Sequence, residues 1–315
     1  MIFSLYAYRF EFQAVEAVRF APGSAGNAFR GAFGHILRHI ACRPECQSAR
    51  SCRWRAQCAY ARLFEPVWLD GPSGFADAPR PFVIRAAALD GRRCLPGAVF
   101  PVDVHVFDLA EPVLEYLVLA FLQLAAEGIG ARRGRVALHR VYSLTASRQP
   151  GICVYEQGRG LAADAHTLIE LPLLPATDAP AQGVTLRFTT PTELKSGGAV
   201  LRTAPFGAVF ARARDRVCTI ASLYSHPLLD LDLDFLALTK HAAAVETVSA
   251  NLRWIAARRL SSRTGQAHPL GGFVGEVSYA GDVSEFLPIL RAAYWTGIGR
   301  QTVWGKGVVE TTPIP

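Results

Sequence analysis

Gly297-Ile298-Gly299-Arg300-Gln301-Thr302-Val303-Trp304-Gly305-Lys306-Gly307 is the stretch on which the fold turns. It follows an apolar helical pattern, Phe286 to Tyr294, and leads into a strand-like run, Val303 to Thr311. A second loop of the same character, Gly128-Ile129-Gly130-Ala131-Arg132-Arg133-Gly134-Arg135, follows the apolar run Val113 to Glu127 and leads into Val136 to Leu144. Both loops run from helix to strand, the reverse of a Walker loop or a dinucleotide fingerprint. Glycine permits positive φ and close approach of backbone, so main-chain N–H groups can face an anion while Arg132, Arg133, Arg135, Arg300 and Lys306 supply charge. A plain helix-to-strand turn with solvated arginines is the simpler alternative for either loop alone.

Working outward, each loop closes a similar series of elements. Ile2 to Gln13 alternates as a half-buried strand, and Asn27 to Ile40 repeats Phe29, Phe33, Ile36, Leu37 and Ile40 at helical spacing. Phe82 to Ala87 and Val99 to Phe107 read as strands. After a Pro- and Gly-rich junction at 145–180, strand, helix, strand, helix, strand follow at 184–190, 206–224, 273–279, 286–294 and 303–311. The expectation is an α+β protein of two tandem ferredoxin-like, RRM-like βαββαβ domains. They occupy 1–150, with a cysteine-rich insertion at 42–58, and 181–315.

The chain has 315 residues, is 50% hydrophobic and carries a net charge of +7. That length suits about two domains and that hydrophobicity argues against extensive disorder. The positive charge is nearly all arginine, with lysine only at 195, 240 and 306. Guanidinium groups fork onto phosphate and stack on bases, so an anionic partner such as RNA is favoured. The apolar run Val113 to Ala126, broken by Glu115 and Gln123, falls short of the roughly 20 residues a membrane span requires. No secretory signal is visible at the N-terminus, so a cytoplasmic protein without membrane contact is expected.

Four further groups carry candidate chemistry. His35 and His39 share one face of the first helix, where they can serve as general acid and base or as metal ligands. Cys42, Cys46, Cys52 and Cys58 have the form C-x3-C-x5-C-x5-C; an odd total of seven cysteines in a chain without an export signal favours metal ligation over disulfides, with structural zinc expected. Arg253, Arg258, Arg259 and Arg263 surround Trp254, a combination that suits single-stranded RNA or else marks a solvated helix end. Asp230, Asp232 and Asp234 alternate and could hold magnesium, a helix cap at Asp234 being the simpler reading.

The sequence resembles the CRISPR-associated pre-crRNA processing endoribonucleases of the RAMP superfamily. The likeness is carried by Arg258-Arg259-Leu260-Ser261-Ser262-Arg263, Leu270-Gly271-Gly272-Phe273-Val274-Gly275-Glu276-Val277 and the Gly297–Gly307 loop. Phe29-Arg30-Gly31-Ala32-Phe33-Gly34, Cys58 to Glu65 and Thr189-Thr190-Pro191 add to it. The resemblance implies cleavage of CRISPR repeat RNA by attack of the ribose 2'-hydroxyl, giving a 2',3'-cyclic phosphate and a 5'-hydroxyl without a catalytic metal. It further implies a catalytic histidine in or near the first helix, where His39, nearer the arginine-rich segment, is favoured over His35, with Tyr60 a lesser partner. Lys195 or Arg30 could stabilise charge. Repeat RNA and subunits of a CRISPR effector complex are the implied partners. The alternative is a noncatalytic RAMP-type RNA-binding scaffold subunit, and a metal or redox module built on the cysteines ranks below both.

Overall fold

A computed structural model describes residues 2–43, 45–67, 78–109, 113–162, 166–174, 180–225, 233–260, 267–269 and 271–315. The chain forms two compact units, Ser4–Ile169 and Glu170–Pro315 together with Met1–Phe3.

In the first unit β1 (Ile2–Ala14) leads through α1 (Ala25–Ala41), the short α2 (Ala59–Leu63), β2 (Phe82–Arg85) and β3 (Val99–Val106) to α3 (Val113–Glu127) and β4 (Val136–Leu144). Two strands from the Pro- and Gly-rich stretch, β5 (Pro150–Glu156) and β6 (Gly160–Leu161), extend the same sheet beyond residue 150. The strand order is β2-β3-β1-β4-β5-β6, and the pairs between neighbours are antiparallel. Phe10 and Phe12 of β1 meet Phe121 of α3 edge-on, at ring separations of 4.7 and 5.9 Å, and Phe12 also meets Phe29 of α1 at 5.6 Å. All four rings are fully buried, each worth about 2 to 3 kcal/mol of transfer free energy, so α1 and α3 are clamped on one face of the sheet.

The second unit repeats the order. It consists of β7 (Gly183–Thr192), α4 (Phe206–Ile220), α5 (Phe235–Ala244), β8 (Glu246–Ile255), β9 (Gly272–Ala280), α6 (Leu287–Thr296) and β10 (Val309–Ile314). Its antiparallel sheet runs β8-β9-β7-β10. Phe206 packs edge-on against Tyr279 and Phe286, Phe286 also meets Phe210, and the buried hydroxyl of Tyr279 donates to the carbonyl of Ala204 at 2.6 Å. In both units the first strand lies inside the sheet between the third and the fourth, the arrangement of a ferredoxin-like βαββαβ repeat.

Three expectations are corrected. The strand expected at 303–311 starts at Val309, because Gln301 (φ 65°) and Gly305 (φ 76°) bracket a 3-10 turn over Thr302–Trp304. Arg253 and Trp254 belong to the edge strand β8, not to a helix end. The helix expected to reach 224 ends at Ile220 and passes into a π turn. Asp234 caps α5, its carboxylate accepting from the N–H groups of Leu236 and Ala237, while Asp230 and Asp232 lie outside the described residues. Among the described residues no helix is long and apolar enough to cross a membrane.

Candidate active site

The helix α1 supplies the histidines. Ser24 provides no side-chain cap; the N–H of Ala25 is instead received by Asp90 Oδ1 at 2.8 Å, which places a carboxylate at the positive end of the helix. Phe29, Phe33, Ile36 and Leu37 are buried on one side, and His35, Arg38 and His39 stand exposed on the other. The imidazoles of His35 and His39 lie edge to face with centroids 4.6 Å apart. Gly34 lets α2 approach, since a Cβ there would fall inside the ring of Phe64, and the guanidinium of Arg30 sits 4.4 Å over the same ring. Arg30 is therefore packed on an aromatic face.

His35 lines a cavity of about 270 Å³ between α1 and the loop 128–135, with Gly31, Glu127, Gly130 and Arg133 among its other walls. His39 is not one of its lining residues. The loop is tightly tied: the N–H groups of Ile129, Ala131 and Arg133 donate to the carbonyls of Gly134, Arg19 and Gly130. Its main-chain donors are thus largely used within the protein, and the groups left for an anion are side chains. Arg135 pairs with Glu16 at 2.8 Å, whereas no ion pair among the described residues holds Arg132 or Arg133, both exposed.

Tyr60 is committed elsewhere. Its hydroxyl donates to Glu65 Oε1 at 2.9 Å, and burial together with that carboxylate raises its pKa well above the ordinary tyrosine value. A phenol so held is a poor proton donor or acceptor for a substrate.

The cysteines face one another around a cavity of about 440 Å³ lined also by Arg43, Arg53 and Trp54. Burial, with Cys58 and Cys46 close by, pushes the Cys42 thiol up to about 12. The Cys46 and Cys58 thiols donate to the carbonyls of Ser48 and Ala41, each at 3.8 Å. All seven cysteines are free. Among the described residues no group of three or more His, Cys, Asp or Glu is set up as an ion site.

In the second unit the loop 297–307 is equally welded. Ile298 N–H donates to Gly307 O and Gly307 N–H to Pro191 O; at Gly307, φ 71°, a Cβ would overlap the carbonyl of Ile298. Gly297, Gly299 and Gly305 share its positive φ. Arg300 pairs with the buried Glu193 at 2.7 Å, and Lys306 is itself buried. Arg258 and Arg259 lie on a two-stranded ribbon with 267–269, their side chains outside the described set, as is Arg263 altogether. Lys195 begins a small exposed hairpin with Val200.

One surface escapes a motif-based reading. Arg187, Thr189, Ser249, Asn251, Arg253 and Glu276 line a concavity of about 510 Å³ on the sheet, and beside it the guanidinium of Arg202 lies 3.8 Å over Trp254. The alternation of Val248, Ala250 and Leu252 with Ser249, Asn251 and Arg253 is the signal that marks this strand.

Residues 3–167 match a family model described as an N-terminal domain, and residues 186–309 match that of the CRISPR-associated endoribonuclease Cas6. The product complex of Cas6 (TTHB231) aligns with 99% of this chain and 100% of its own at 16% identity and a TM-score of 0.54. Thermus thermophilus Cas6 (TTHB231) aligns with 99% of each chain at 15% identity and 0.52. The product complex of Cas6 (TTHA0078) aligns with 98% and 99% at 19% identity and 0.52. At such identities the likeness is one of fold. No curated protein matches in sequence. The two family matches leave little but 168–185 between them; residues 186–309 carry a domain of the Cas6 family of CRISPR-associated endoribonucleases, on a fold that the whole chain shares with these structures.

Proposed function

We propose that this protein binds CRISPR repeat RNA and cuts it by metal-independent general acid and base catalysis. A base takes the proton of a ribose 2'-hydroxyl, whose oxygen attacks the adjacent phosphorus. The bond from phosphorus to the 5'-oxygen breaks, and an acid protonates the departing oxygen, leaving a 2',3'-cyclic phosphate and a 5'-hydroxyl. The nucleophile belongs to the substrate, so the protein supplies proton transfer and preorganised charge. His35 and His39 are the acid and base, and His35 takes precedence over His39.

The observation that carries this reading is the paired exposed imidazoles on one helix, one of which lines a cavity with an arginine that no ion pair among the described residues holds. The Cas6 family match over 186–309 supports it, as do the Cas6 product complexes that share the fold. The reading takes two tandem ferredoxin-like domains, the first carrying the cysteine-rich insertion and the second the Gly297–Gly307 loop. Arg132, Arg133 and Arg135 on the first and Arg253, Arg258, Arg259 and Arg263 on the second are the RNA contacts, and Arg300, held by Glu193, serves the loop's own structure first. Work in the cytoplasm, where repeat transcripts arise, and contact with other CRISPR proteins follow from the same reading; one solved relative is a partial Cas6-RT-Cas1–Cas2 complex.

For the four cysteines we propose a structural role with a thiophilic ion such as zinc, which would draw the facing thiols inward as thiolates and fasten 42–58 to the end of α1. No catalytic step passes through it.

The test is cleavage of the cognate repeat RNA in excess EDTA, beside the same RNA with one 2'-deoxy ribose at the cut. Cutting of the first and not the second is expected. Tight binding without cutting, with metal-replete protein inactive as well, overturns the nuclease reading in favour of a scaffold.

A further inference from the structure

Two residues on the His35 cavity break the ordinary rules of folding. Gly31 lies in the interior of α1, where glycine is among the least favourable residues because it loses the most backbone freedom. A glycine at such a place normally makes room for a neighbour, as Gly34 does for Phe64. A Cβ on Gly31 would meet nothing within 4 Å. No packing contact among the described residues requires it, and the open space lies one turn before His35 on the same helix face.

Arg133 is the second. Its φ of 49° lies in the left-handed region that favours glycine, and its neighbours Gly130 and Gly134 show that the loop uses glycine freely. Backbone strain of this kind persists where the surrounding structure enforces it and gathers at functional sites. Here it keeps a side chain with a permanent charge on the cavity wall, with no ion pair among the described residues to neutralise it. The cavity's carboxylate, Glu127, accepts from Gln123 Nε2 at 2.8 Å along α3.

Departures from local folding rules are expected at functional sites. We infer that this cavity seats the sugar-phosphate unit that is cut, with Gly31 as the floor that lets the ribose approach His35 and Arg133 as the cation on the phosphate. Its volume of about 270 Å³ is below the usual range for pockets that enclose a drug-sized ligand, and it suits one backbone unit of an RNA strand. The inference rests on the nuclease reading above and adds to it the residues that position the reacting phosphate.

Because both residues are costly to the fold, their replacement separates function from folding. Gly31→Leu and Arg133→Gly are expected to melt at or above the wild-type temperature. Arg133→Gly should lower the single-turnover cleavage rate by about 100-fold, the order seen when one preorganised donor to a transition state is removed, and Arg133→Lys should recover part of it. Gly31→Leu should abolish cutting and weaken binding of the repeat RNA that carries a 2'-deoxy ribose at the cut. The comparison variant is His35→Ala on the same RNA. If wild type cuts, His35→Ala does not, and both new variants cut at the wild-type rate, the seat is overturned while the nuclease reading stands. A wild type that binds and never cuts overturns both.

Discussion

Arg300 Nη1 donates to Glu193 Oε1 at 2.7 Å, and the main-chain N–H of Arg300 donates to the carbonyl of the same glutamate at 3.1 Å. Glu193 is buried, so this pair fastens the Gly297–Gly307 loop to the first strand of its unit. An arginine so engaged has less charge to give to RNA than one that stands free. In a plot of log affinity against log salt, Arg132→Ala should therefore flatten the slope by about 0.7, the loss of one phosphate contact on a single strand, and Arg300→Ala by clearly less. Arg300→Ala should instead lower the melting temperature, because a buried carboxylate loses its partner. Equal flattening by the two variants would show that Arg300 leaves Glu193 to meet phosphate.

Replacement of either histidine separates chemistry from affinity. His35→Ala is expected to reduce single-turnover cleavage by roughly 10² to 10⁴, the usual contribution of a positioned acid or base, with RNA affinity nearly unchanged. His39→Ala should cost less, since its ring does not line the cavity that His35 shares with Arg133. Single-turnover rates with saturating protein, read beside filter-binding affinities, check both. A larger loss at His39 would move the reacting phosphate one helical turn toward the cysteines.

Much of this was legible in residue order, and the exceptions have physical causes. Repeated Phe and Leu at helical spacing fixed α1 and α3, because those faces are buried against a sheet and have no other use. The Val303-Trp304 pair reads as the start of a strand by composition, yet left-handed residues on both sides curl it into a turn, and a composition signal does not report φ. Most of β8 is exposed, so Arg253 near its end and the arginines that follow the strand draw the eye away from its period-two alternation. For the site, the helical spacing of His35 and His39 was plain. Which of them faces a cavity depends on where residues about 95 positions later return to α1, a tertiary fact that no local pattern carries. The structural cost at Gly31 and Arg133 likewise becomes visible only once open space and φ are known.

The cysteine cluster offers a test independent of RNA. Protein purified without chelator should carry about one thiophilic ion per chain by elemental analysis, and Cys52→Ser should lower that content together with the melting temperature, as loss of a structural ion site does. Cleavage at low temperature should survive the substitution, since the ion serves the fold alone. Metal-free wild-type protein with an unchanged melting temperature would leave the four residues as ordinary thiols.

Gly34 and Gly31, three residues apart on one helix, should respond in opposite ways to the same substitution. A methyl on Gly34 would occupy the ring of Phe64, which is also packed against Phe33 and Phe82 and covered by Arg30 and Arg80. The ring cannot withdraw without opening a void beneath two guanidinium groups, so Gly34→Ala should destabilise by about 1 to 3 kcal/mol, the ordinary cost of overpacking a core. Gly31→Ala meets open space and should stabilise by up to about 1 kcal/mol, the difference in helix propensity. Urea denaturation of the two single variants measures both. A stabilising Gly34→Ala would mean that α2 does not pack on α1 as the Phe64 contact requires, and that the cysteine segment joining them is not held against the histidine helix.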